Sequence, residues 1–94
     1  MDVEALWNEF LDTIKESVSS LSYETWFRDT KLVSLRSNKA IIIVPMPVHK
    51  KHLLENYKDI IEEKLNSLTK LTLASALFLL ARIVLITSSN IDKQ

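Results

Sequence analysis

Ser22-Tyr-Glu-Thr-Trp-Phe-Arg-Asp-Thr-Lys-Leu32 is the stretch on which the fold of this 94-residue chain turns. Ser22 can cap a helix, Glu24 falls in its first turn, and Tyr23, Trp26 and Phe27 recur at three- and four-residue steps. A short helix through about Asp29 is expected. So short a helix is marginal alone, so Trp26 is expected in the core, holding it against a neighbour. That neighbour lies upstream. Val3, Leu6, Trp7, Phe10, Leu11, Ile14 and Val18 take one side of a helix, and Glu4, Asn8, Asp12, Lys15 and Glu16 take the other. Asp2 is a fitting N-cap and Ser19-Ser20 a stop, which predicts a first helix over about 2–19.

Downstream, Lys31–Arg36 and Lys39–Val44 are rich in Leu, Val and Ile, and Ser37-Asn38 suits a tight reversal because Asn tolerates left-handed backbone. A β-hairpin is expected. Pro45 and Pro47 end the pairing, and Pro47 is preorganised for the first position of a helix. Leu53, Leu54, Tyr57, Ile60, Ile61, Leu65 and Leu68 then form one stripe, predicting a third helix over about 47–68. Leu71–Thr87 is nearly continuously apolar, and periodicity cannot assign it. Its first part favours helix by propensity, and Ile83-Val-Leu-Ile favours strand. Three readings stay open for it: an extra helix over 71–80 with a third strand Arg82–Thr87, a sequence replacing another continuation, or a membrane span. Arg82 and the shortness of the run against a ~30 Å bilayer core argue against the span. Ser88–Gln94 reads as a frayed polar end.

Length allows one domain with one core. Twelve basic and 12 acidic side chains give a formal charge of zero, so nucleic acid or an anionic membrane could be met only by a local patch. No cysteine and no glycine occur. Without cysteine there are no disulfides and no thiolate sites, which fits a cytoplasmic location. Without glycine there is no Walker A loop, dinucleotide fingerprint, nucleophile elbow or GXXG clamp. The start of the chain lacks the basic segment and apolar block of a secretory signal.

Leu6-Trp-Asn-Glu-Phe10 followed by Ser22–Leu32, with a tryptophan in each of two successive helices and then Lys31-Leu-Val-Ser-Leu35, resembles the N-terminal domain of the bacterial chromosomal replication initiator DnaA. The resemblance covers about residues 4–69 and divides the chain into a domain over 1–69 and a divergent apolar tail over 70–94. It implies an α+β fold, a KH-like α-α-β-β-α unit with a possible third strand, and this agrees with the order read from periodicity. It also implies a non-catalytic module without cofactor. Its partners would be other initiator molecules, a homodimer among the assemblies implied, together with the replicative helicase and regulatory proteins.

The resemblance implies that Trp7 serves self-association. The residues alone leave Trp7 open between core packing and an exposed edge, because Leu6 and Trp7 point about 100° apart. Ser22, Tyr23 and Glu24 fall where the family binds regulators and helicase, and Ser22 is equally a helix cap. Pro45-Met-Pro-Val48 stands where relatives carry Pro-Asn-x-Phe, so Val48 replaces an aromatic contact and Met46 cannot cap as Asn would. Lys50 and Lys51 sit against the helix dipole. With Arg36 and Lys39 they form the alternative reading, a patch for single-stranded nucleic acid, set against a merely solvated helix end. His49, His52 and Glu55 have one-face spacing, but two imidazoles and one acid make a poor metal set. No serine has an evident base, so no active site is assigned.

Overall fold

Asp2 opens the first helix as the sequence requires. Its Oδ1 accepts from the amides of Glu4 at 3.0 Å and Ala5 at 3.2 Å. The computed structural model describes residues 2–36, 38–73 and 82–88. In order these form α1 (Val3–Lys15), α2 (Ser20–Ser22) running into a π-helical turn (Tyr23–Phe27), β1 (Lys31–Arg36), β2 (Lys39–Val44), α3 (Pro47–Asn56), α4 (Lys58–Leu73) and β3 (Arg82–Thr87). The expected α+β class and element order stand, with three differences of detail.

The first helix ends at Lys15 rather than near residue 19. The chain there tightens into a turn, with the amides of Ser17 and Val18 both reaching the Ile14 carbonyl, at 2.9 and 3.1 Å. Val18 still packs on the core, which is why it had extended the helical pattern. Helix two is capped by Ser19, whose Oγ accepts from the Ser22 amide at 3.1 Å, and not by Ser22. It then widens, the Arg28 amide bonding the Tyr23 carbonyl five residues back at 3.0 Å. A wider turn aligns residues four to five apart rather than three. Tyr23 and Phe27 therefore enter the core while Trp26 is only half-buried, contrary to the expectation that it would be core.

The third difference is a break in the long helix at Tyr57, whose φ of −128° and ψ of 1° lie outside helical values. Asn56 donates from its side chain to the His52 carbonyl at 3.1 Å, local competition that bends helices. The break brings the Tyr57 ring edge-on to Phe27, with centroids 5.1 Å apart. What had read as one stripe is two. α3 packs on helix two, and α4 on α1 and β3.

The sheet has the order β1-β2-β3. The hairpin is antiparallel, with a bulge between Leu32 and Ser34, and Asn38 takes the left-handed φ of 65° that the reversal demands. β3 joins β2 in parallel, Lys39 opposite Arg82 through Val44 opposite Thr87. Leu32, Ala40, Ile42, Val44, Ile83 and Leu85 face the helices, and together with Phe10, Ile14, Phe27, Leu53, Ile61 and Leu65 they make one core. Of the extra helix expected over 71–80, residues 71–73 are the end of α4 and the remainder lies outside the described residues, as does the polar end beyond Ser88.

Glu62 on α4 pins the third strand. Its carboxylate accepts the Ile83 amide at 3.0 Å, Lys58 Nζ at 3.3 Å, and lies 3.4 Å from Arg82 Nε. Burial pushes the carboxyl up, but the Ile83 amide bond and the charges of Lys58 and Arg82 outweigh it and hold the group below its ordinary value.

Candidate functional site

Helix two and the start of α3 meet through two imidazoles. His49 Nε2 lies 2.9 Å from the Thr25 carbonyl, which can only accept, so this nitrogen carries the hydrogen. His52 stacks on Trp26 at a centroid distance of 3.9 Å, and His49 meets the same indole edge-on at 5.1 Å. Trp26 thus packs on rings from α3 as well as against the edge of the core. The histidines are packing groups here, and among the described residues no cluster of His, Asp or Glu is placed to hold a metal ion.

Leu21 at 76 %, Met46 at 54 % and Val48 at 53 % exposure are the three most exposed large hydrophobic residues among those described. They belong to the start of helix two and the turn between β2 and α3, the two segments that His49, His52 and Trp26 tie together. Glu24 lies exposed on the helix-two side, its carboxylate bonded to Arg28 at 2.6 Å. Pro45 is half-buried beneath the turn. Of the residues singled out in the sequence, Glu24 is exposed on helix two, and Pro45 and Val48 flank the start of α3. Ser22 is half-buried and Tyr23 buried, its ring approached by Lys15 Nζ at 5.1 Å. Leu21 and Met46 are further exposed apolar residues of the same two segments. Leu21 had no place in any stripe, and a large aliphatic residue inside a serine-rich turn was the available signal.

Trp7 lies elsewhere, and of its two readings the structure has the buried one. It is 4 % exposed, stacks on Phe10 at 4.2 Å, and its indole N–H donates to both the carbonyl oxygen and Oγ1 of Thr30, at 3.2 and 3.1 Å. Only the margin of the ring reaches a groove of about 340 Å³ between α1 and β1, which Glu4, Arg28 and Lys31 also line.

The four basic residues do not form one patch. Arg36 and Lys39 face each other in register at the hairpin tip, whereas Lys50 and Lys51 follow the far end of β2. A strand of this length holds the two pairs roughly 17 Å apart. Lys50 and Lys51 crown a helix whose N-cap, Met46, makes no side-chain bond.

The family model for the DnaA N-terminal domain matches residues 4–67. Among solved structures, the fold is similar to that in the crystal structure of a HobA–DnaA (domain I-II) complex from Helicobacter pylori. The TM-score is 0.69 at 18 % identity, covering 89 % of this chain and 98 % of that one. No helix among the described residues is long and apolar enough to cross a membrane.

Proposed function

The chain belongs to the DnaA N-terminal domain family, and we propose that it is a non-catalytic protein-interaction module of chromosomal replication initiation, acting in the cytoplasm. Its docking corner is the exposed apolar group Leu21, Met46 and Val48 with Glu24 beside it. The partners are initiator molecules, the replicative helicase and regulatory proteins. The similar Helicobacter pylori domain is in a complex with HobA, and a protein partner is a fitting occupant of this corner.

The observation that carries this reading is the exposure of three large aliphatic side chains on two segments braced by stacked aromatic rings. A rigid apolar spot with a charged rim is the usual anatomy of a protein contact. Trp7 contributes indirectly, by fixing α1 against the Thr30 turn that leads from helix two into the sheet.

The experiment is a binding titration of the chain against the intact initiator and the helicase of its own organism, with Leu21→Asp and Val48→Asp compared to wild type. Both positions are exposed, so the variants keep the fold, checked by circular dichroism, and lose roughly tenfold or more in affinity. Unchanged affinity in both variants, or no binding of wild type to either partner, overturns the proposal.

A further inference from the structure

The sheet has a second face that none of the described helices covers. Ala40, Ile42 and Val44 point into the core, so by alternation Lys39, Ile41 and Ile43 point away from it. The strand registers place Arg36 and Arg82 on either side of Lys39, Val84 beside Ile41, and Ile86 beside Ile43. The outer face is therefore a strip of Ile41, Ile43, Val84 and Ile86 with Arg36 and Lys39 paired at one end and Lys31 opposite Ile43 at the other, while Arg82 beside Lys39 turns its guanidinium to Glu62 of α4. Like charges directly opposite one another on adjacent strands destabilise a sheet. Glu62 answers Arg82 at 3.4 Å, but among the described residues Arg36 and Lys39 have no ion-pair partner.

The balancing charge is on the other side of the molecule. α1 buries its apolar stripe against β1 and α4 and turns Glu9 and Asp12 outward, with its C-cap Glu16 after them, all exposed; Lys15 lies 4.0 Å from Asp12. A chain of zero net charge is thus divided into a cationic sheet face and an acidic helix face. Either face laid on its own copy would oppose like charges, so a twofold contact through either is disfavoured. Laid one on the other, the two faces complement.

We infer that the sheet's outer face docks the acidic outer face of α1 from a second copy of this chain, giving a heterologous, head-to-tail contact. This rests on the proposed self-association and names its surfaces. A head-to-tail contact leaves one face of each kind free at the ends of the assembly, so it propagates along a row of copies. The sheet face is small, with strands about 4.8 Å apart and about 20 Å long. Each contact is therefore weak, and assembly depends on concentration and salt.

The test is sedimentation velocity of the full chain at low and high salt, with two charge-reversed variants, Arg36→Glu/Lys39→Glu and Glu9→Lys/Asp12→Lys, all at exposed sites. Wild type is expected to form concentration-dependent oligomers at low salt that dissociate at high salt, and each variant to associate roughly tenfold more weakly. An equimolar mixture of the two variants is expected to regain assembly, because each supplies the face the other lacks. The inference is overturned if wild type stays monomeric, if association ignores both reversals, or if the mixture is no better than its components. The partner titration of the docking corner reads out separately, so self-association through other surfaces would sink the inference and leave the proposed function standing.

Discussion

Trp7→Phe separates a structural tryptophan from a contact tryptophan. The ring stack on Phe10 can persist with phenylalanine, but the indole N–H that serves both Thr30 oxygens is lost. The Thr30 carbonyl then sits in a buried residue without that donor, a loss of about 1–3 kcal/mol. The smaller ring leaves a void that adds about 1 kcal/mol. Together these come to roughly 2–4 kcal/mol. In a domain of this size that lowers Tm by about 10–25 °C, a large part of a total stability on the order of 5–15 kcal/mol. Thermal and urea denaturation followed by circular dichroism measure it, and a double-mutant cycle with Thr30→Val isolates the shared bond at about 1 kcal/mol of coupling. At a temperature where the variant is folded, its affinity for the partners of the docking corner is expected to be unchanged. A variant melting within about 3 °C of wild type, outside the range just derived, would refute the reasoning and return Trp7 to the surface.

Glu62→Gln removes the charge that pins β3. Because the folded carboxyl titrates below its ordinary value, its stabilisation is full above that ordinary value and fades as pH falls through the folded one. Wild type is therefore expected to exceed the variant by about 1–3 kcal/mol at neutral pH, with the gap closing in acid, as urea titrations at several pH values will show. Met46→Asp supplies the missing cap of α3 and places a negative charge at its positive end, with an expected gain of about 1 kcal/mol in thermal unfolding.

Much of the fold was legible because local chemistry and burial pointed the same way. Asp2 caps α1, the branched residues of 31–36 and 39–44 pair, and among the described residues Asn38 alone takes a positive φ. What sequence reasoning missed came from tertiary contacts. The break at Tyr57 is invisible in an unbroken apolar stripe, since both halves keep helical spacing and only their partners differ. The π-helical turn buries both Tyr23 and Phe27, which no propensity encodes, and it leaves Trp26 half-buried against the histidines. In the candidate site, Glu24 and Val48 could be named from the resemblance. The separation of Lys50 and Lys51 from Arg36 and Lys39 depends on where strands end in space.

The central claim is that the junction of helix two with the start of α3 is the surface partners touch. Backbone amide shifts of the ¹⁵N-labelled chain, recorded while the intact initiator or the helicase is added, test it residue by residue. The account predicts changes concentrated at Leu21, Glu24, Met46 and Val48. Changes confined to other surfaces, or a spectrum unmoved by both partners, would contradict it.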